Sequence, residues 1–337
     1  MGQQNPSKEG KGVPTSRNTM NPGRQVETGL LREESFVFTK ADLALLFVAF
    51  LWGASFTVIK DAYREIPAVP FVGMRFVLAG LSMVPFLIWN HHSLPRTRMA
   101  WTGALAIGGL GVAGYQVLFS LGLQYTTASK STLIVATSPL FTALVVALLG
   151  IARPQINQIY GMLVALAGVA LLTLGDASLS SLPERDALLG DLLTLGAAMA
   201  TGSGVALAER YLAGADGATI MSVAVIVGSA LIQPFAWRQM VAFPWRQVSL
   251  LAWLEMLYAA FVAGSLGYIL WYRNIPRIGA VRASLYGFLI PVVGVVTAIV
   301  ALGDRLTSVQ ALGALLVLLG IAAARGWFGL LFGRGKA

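Results

Sequence analysis

The stretch SPLFTALVVALLGIARPQINQIYGMLVALAGVALL, residues 138–172, returns 152 positions later as IPVVGVVTAIVALGDRLTSVQALGALLVLLGIAAA, residues 290–324. Without a gap, Pro139 meets Pro291, Arg153 meets Arg305, Gln158 meets Gln310, Gly161 meets Gly313 and Gly168 meets Gly320. Five ungapped coincidences of this kind are hard to obtain by chance, even in apolar sequence of low complexity. Upstream, Gly114-Tyr115 meets Gly267-Tyr268 at an offset of 153, and Trp52-Gly53 meets Thr201-Gly202 more weakly. The chain is read as two copies of one unit.

Composition says what the unit is made for. The chain is 56% hydrophobic and only 12% charged, with mean hydropathy +0.73. Soluble domains are roughly 45–50% apolar and about 25% charged, so the solvent of most of this surface is lipid. Apolar runs of about twenty residues, the length of a membrane span, cover residues 41–62, 68–89, 99–122, 127–149, 155–175, 187–208, 217–237, 248–272, 280–302 and 307–329. The expected fold is an all-α polytopic membrane protein whose ten transmembrane helices form two five-helix repeats. An odd number of spans per copy turns the second copy upside down, so the repeats are expected to be inverted. Trp89, Trp101, Trp237, Trp245 and Trp327 fall at span ends, as an aromatic belt requires.

The expected organisation is a polar, disordered N-terminal tail (1–38), a first repeat (39–175), a connecting loop (176–186), a second repeat (187–329) and a short basic C-terminal tail (330–337). No apolar run follows a basic start in the tail, so no cleavable signal peptide is read there. With the N-terminus in the cytoplasm, 16 of the 24 Lys and Arg lie on that face and seven on the other, Arg75 lying within a span. That asymmetry places both termini in the cytoplasm, and the expected location is a bacterial inner (plasma) membrane. The net charge of +9 is explained by these basic loops, and nucleic acid is not an expected partner. Partners are the bilayer and a small-molecule substrate; monomer and homodimer stay open.

Several chemistries are excluded or unsupported. Cysteine is absent, which removes disulfides and thiol nucleophiles. The two histidines, His91 and His92, are adjacent in the polar HHSLPRTR (91–98). Neighbours do not share a helix face, so they are read as loop residues and no metal or cofactor is expected. No phosphate-loop motif occurs, which leaves ATP drive by this chain without support. Membrane acids are few and scattered, so an embedded enzyme is disfavoured. No continuous polar stripe marks a channel or lipid scramblase, which stays as the alternative.

Four segments carry a family resemblance: FLWGASFTVIK (50–60), GMRF (73–76), GYILWYRNIPRIGAVRAS (267–284) and LGDRLTSVQALGALLVLLGI (302–321). The region 41–325 resembles the EamA-type transporters of the drug/metabolite transporter superfamily. That resemblance implies two inverted five-helix repeats, a central cavity open to one side at a time and lined by spans one to four and six to nine, and export of amino acids or other small metabolites. Two departures make the halves chemically unequal. LGIARPQ, with no acid before its arginine, is the first-half partner of LGDRLT, and AMATGSG stands where the first half has FLWGASF.

The candidate site residues follow from these spans. Charge within a span costs about 2.5–3.5 kcal/mol on insertion scales, so Arg75 and Glu255 each need a reason. Arg75 either draws a substrate carboxylate with its planar fork or holds helix-end carbonyls for the fold. Glu255 either serves as a proton or amine site or snorkels to the interface beside Trp253. Trp52 and Phe56, and Tyr115 and Phe119 with Gln116, are spaced one turn apart. Tyr268, Trp271 and Tyr272 share a face, and Tyr286 lies in the next span. Such aromatics are either packing or the walls of an amphiphilic site; Tyr115 and Tyr268 also occupy equivalent repeat positions. Pro139 and Pro291 break their helices near mid-span and free the carbonyls of Val135 and Gly287, either as gates beside a pathway or as packing kinks.

Overall fold

The computed structural model describes residues 39–90, 94–95, 97–150, 156–174, 184–211, 216–278, 286–287 and 289–324. The expectations for the two tails, His91 and His92, Arg153, Trp327 and most of the 176–186 loop lie outside these residues. The described chain is helical: α1 (Lys40–Ala62), α2 (Ala68–Trp89), α3 (Arg98–Tyr125), α4 (Ala128–Leu148), α5 (Ile156–Leu174), α6 (Glu184–Tyr211), α7 (Gly217–Ala242), α8 (Leu250–Asn274), α9 (Leu289–Leu302) and α10 (Ser308–Ala324).

Seven of these, α1 to α4 and α6 to α8, are long and apolar enough to cross a bilayer. At 1.5 Å per residue, the 23 residues of α1 reach past the roughly 30 Å of a hydrocarbon core. The apolar parts of α5, α9 and α10 are shorter; the span expected over 280–302 is described only from residue 286. Large apolar side chains face outward, with Leu81 64%, Ile88 69%, Leu163 59% and Val300 78% exposed. In water that surface would be costly; against acyl chains it costs nothing.

Helix starts are set by local chemistry. Thr97, Thr127, Asp216 and Ser249 each accept the backbone N–H three residues on, which satisfies one orphan donor of α3, α4, α7 and α8 respectively. Thr307 and Gln310 form a reciprocal capping box at the start of α10. Beyond the ends of α4 and α9, Gly150 and Gly303 take up φ of 67° and 71°, the left-handed exit that glycine allows at least cost.

The two repeats share unusual features beyond their sequence matches. α3 carries a π-helical segment at Ile107–Gly114, just before Tyr115. α8 carries one at Tyr258–Leu266, just before Gly267-Tyr268. α4 breaks at Ala136–Thr137, and Pro139 opens its second half, where the absent N–H costs nothing. Pro291 lies in the first turn of α9 as described.

Packing pairs equivalent helices with each other. A Cβ on Gly73 would sit 2.7 Å from Ala236, and one on Gly80 2.8 Å from the Ser229 hydroxyl, so α2 and α7 run antiparallel in close contact. A Cβ on Gly168 would sit 2.6 Å from the Gly313 carbonyl, and one on Gly320 2.6 Å from the Gly161 carbonyl. The matched glycines of the repeat therefore let α5 and α10 approach, also antiparallel, as small residues do between membrane helices. In the same exchange, α1 packs on α9 and α6 on α4.

Candidate functional site

A cavity of about 290 Å³ lies among α1, α2, α3, α4, α6, α8 and the start of α9. It is assembled where the helices are least regular. The break of α4 contributes Val135, Ala136, Ser138 and Pro139; Gly287, Ile290 and Pro291 contribute from the other repeat. Both prolines and both residues four positions before them thus border the same space.

Aromatic rings form two walls. Trp52 of α1 lies 5.7 Å from Tyr268 and 5.0 Å from Trp271 of α8, centroid to centroid. Phe56 meets Phe119 of α3 edge-on at 5.3 Å, and Phe119 meets Tyr115 at 5.6 Å. The FLWGASF motif has a local explanation. The Trp52 indole donates to the Ala263 carbonyl at 2.7 Å, while Gly53 lets the α9 backbone approach, since a Cβ there would lie 2.7 Å from the Ile290 carbonyl.

Arg75 crosses from α2 to the second π segment. It is 6% exposed. Its Nε donates to the Ala259 carbonyl at 3.1 Å and its Nη1 to Gln116 Oε1 at 3.4 Å. Ser265 takes the Ala260 carbonyl at 3.2 Å. Carbonyls at Ala259, Ala260 and Ala263 thus accept from side chains within a helix whose register departs from α geometry, a frequent mark of functional segments.

Of the residues read from the sequence, Trp52, Phe56, Arg75, Tyr115, Gln116, Phe119, Tyr268, Trp271, Pro139 and Pro291 line this cavity. Tyr286 does not: it is packed behind Trp271 and donates to Asp42 Oδ1 at 2.8 Å. Glu255, read as a proton or amine site or an interfacial group and not as part of the cavity, lies elsewhere. It meets Asp61, with Glu65 and Arg64 nearby, at the end of the bundle where α1 stops and α8 starts. Tyr272, read with Tyr268 and Trp271, lines the cavity too, and so do Ser55, Thr132 and Thr201, which the sequence did not single out. Ser55 could have been found from its place one turn beyond Trp52, and Thr201 from its position opposite Trp52 in the repeat.

Beyond Phe56 and Phe119, the same end of the bundle carries a polar layer. Lys60 Nζ donates to the carbonyls of Leu123 at 2.7 Å and Gln124 at 3.2 Å, capping the last turn of α3. Lys130 of α4 pairs with Asp191 of α6 at 2.7 Å, with the side chains 1% and 3% exposed, and Thr126 donates to the same carboxylate at 2.6 Å. Asp304 accepts the Ser129 N–H at 3.0 Å. Lys60 reads from the sequence as one of a mixed-charge interfacial cluster with Asp61, Arg64 and Glu65; span-end charges look like loop charges, which is why Lys130, Asp191 and Asp304 were not legible. The layer's one trace is an offset: Asp42 stands to Asp191 as Trp52 stands to Thr201, and Asp42 is fully buried as well. Outside the spans, the Glu65 carboxyl accepts the Ser249 N–H at 2.8 Å and its hydroxyl at 2.7 Å, and those bonds hold it below the usual carboxylate range.

Outward-facing apolar helices around a cavity shared by two repeats describe an integral membrane protein of the transporter class. The profile of the EamA-like transporter family matches residues 39–174 and 188–325, one repeat each, and the chain belongs to that family. The resemblance read from FLWGASF, GMRF and LGDRLT is borne out. Among curated relatives, the "Probable amino-acid metabolite efflux pump" of Salmonella typhimurium (strain LT2) is 29% identical over 289 residues, covering 83% of this chain and 92% of its own. The protein of the same description from Escherichia coli (strain K12) is 28% identical with the same coverage. An uncharacterized transporter of Archaeoglobus fulgidus is 24% identical, covering 84% and 96%. A solved crystal structure aligns with TM-score 0.62 over 88% of this chain and 99% of that one at 19% identity, which speaks for the fold.

Proposed function

We propose that the protein is a secondary carrier that exports amino acids or related small metabolites across the bacterial inner membrane by alternating access. The observation that carries this reading is the central cavity, bordered by matched residues of both repeats: Tyr115 with Tyr268, Trp52 with Thr201, and Pro139 with Pro291. Two interchangeable halves around one midplane site are the working parts of many secondary transporters.

Ten spans in two inverted repeats, with both termini cytoplasmic, complete the proposal. The antiparallel pairing of α2 with α7 and of α5 with α10 supports the inversion, and the Lys and Arg asymmetry supports the orientation. Export, and the amino-acid class, rest on what the bacterial relatives are described as doing.

The test is counterflow in proteoliposomes. Vesicles loaded with one unlabelled amino acid or metabolite receive the same labelled compound outside. Transient, saturable accumulation absent from empty liposomes is expected. Linear, unsaturable flux would make the protein a channel instead.

A further inference from the structure

We infer that the cavity selects a small monocarboxylate with a flat apolar body and no free amine over the zwitterionic amino acid of the same shape. The inference narrows the carrier reading to its small-metabolite arm, away from free amino acids, and rests on it for movement across the membrane but not for binding.

Charge is the first observation. Arg75 is the one charged side chain among the described residues that line the cavity. The titratable groups that face it are the phenols of Tyr63, Tyr115, Tyr258 and Tyr268. All are neutral at pH 7 in their ordinary range, and the remaining partners are the Gln116 amide and the Ala259 carbonyl. Among the described residues, this buried guanidinium faces neutral dipoles and the Phe76 ring and has no counter-ion. A carboxylate entering the cavity supplies it, in the paired geometry that a guanidinium fork favours.

The second observation is the hydroxyls on the lining. Ser55 and Ser138 border the cavity and can donate to an anion on rotation.

The third is what an ammonium would meet. Among the described residues no carboxylate borders the cavity, so the amine of an amino acid loses its water beside an existing positive charge and gains no anion. The aromatic faces offer it only a weak cation–π attraction. For the rest of the ligand the walls are Trp52, Trp271 and Tyr268 on one side and Phe56, Phe119 and Tyr115 on the other. At roughly 30 Å³ per water-sized unit, the volume holds on the order of ten heavy atoms, the size of an arylalkanoate.

Three probes that differ only in their charged groups test this: 3-phenylpropionate, phenylalanine and 2-phenylethylamine. Binding to the full chain in detergent is read from tryptophan fluorescence, since Trp52 and Trp271 border the site, and counterflow of each compound is run in parallel. Saturable binding of 3-phenylpropionate, about tenfold or more tighter than phenylalanine, with no binding of the amine, is expected. Gln116→Glu, which places a carboxylate beside Arg75 at nearly constant shape, should remove that preference or turn it toward phenylalanine. Binding of phenylalanine equal to or tighter than 3-phenylpropionate overturns the inference, as does absence of saturable 3-phenylpropionate binding to wild-type protein. Binding in the expected order without counterflow leaves the inference standing and sinks the carrier reading instead.

Discussion

Lys130 and Asp191 form an ion pair 2.7 Å long between α4 and α6, with almost no solvent on either side chain. Removing one partner leaves a buried charge uncompensated, at a cost of about 3–5 kcal/mol. Lys130→Met and Asp191→Leu alone are each expected to lower the thermal unfolding midpoint in detergent strongly. The double variant should recover much of the loss, because two apolar groups of similar volume need no counter-ion. Additive losses in the double variant would show that the pair is not coupled.

Tyr115 and Tyr268 occupy matched positions of the repeats on one cavity. Tyr115→Ala and Tyr268→Ala should each change transport kinetics by about tenfold or more in well-folded protein. Tyr160→Ala, on the outward face of α5 at 62% exposure, should leave them unchanged. Unaltered kinetics in both cavity variants would remove the aromatic walls from the substrate path.

Gly168 and Gly320 sit where α5 and α10 touch backbone to backbone. Even a methyl group collides there with main-chain atoms that cannot rotate away. Gly168→Ala and Gly320→Ala should each destabilise by about 1–3 kcal/mol or more. Gly196→Ala, where a Cβ meets only the end of Leu118 at 3.5 Å, should be neutral or slightly stabilising. Thermal unfolding of the three variants in one detergent decides it.

Glu65 links the end of α1 to the start of α8 through Ser249. Its carboxyl is held below its ordinary value, first by the Ser249 N–H and then by the hydroxyl. The sign follows by linkage. The link contributes fully above the unfolded carboxylate value of about 4.3 and is lost as pH falls through the depressed folded value. The stability difference between wild type and Glu65→Gln should therefore be flat from pH 7 to about 5 and shrink below about 4. A difference that persists unchanged to pH 3 would assign the effect to something other than the charge.

What the sequence disclosed and what it hid divide along a physical line. Helix positions and the glycine matches were legible because a span must be apolar for its whole length and a close approach tolerates nothing larger than glycine. The aromatic walls were legible because one-turn spacing puts Trp52 with Phe56, and Tyr115 with Phe119, on one face. Tyr286 misled because the same residue type serves as a buried donor to Asp42. The neighbours of Glu255 were not readable, because depth along a helix does not tell what stands at that depth; Asp61 and Glu65 come from an element far away in sequence. The π segments left no readable signal, since no residue pattern in IGGLGVAG or YAAFVAGSL separates π from α geometry.

The glycine seams have a consequence for how the molecule is put together. α2 closes on α7 and α5 closes on α10, so each half presents two surfaces that pack against the other half. The protein is in effect a dimer whose two subunits are joined end to end. The covalent join between Leu174 and Glu184 raises the local concentration of one subunit around the other and fixes their one-to-one ratio. Cut there and made as two polypeptides in the same membrane, the halves should find each other and rebuild the bundle; made singly, each is left with open grooves and becomes a target for quality-control proteolysis.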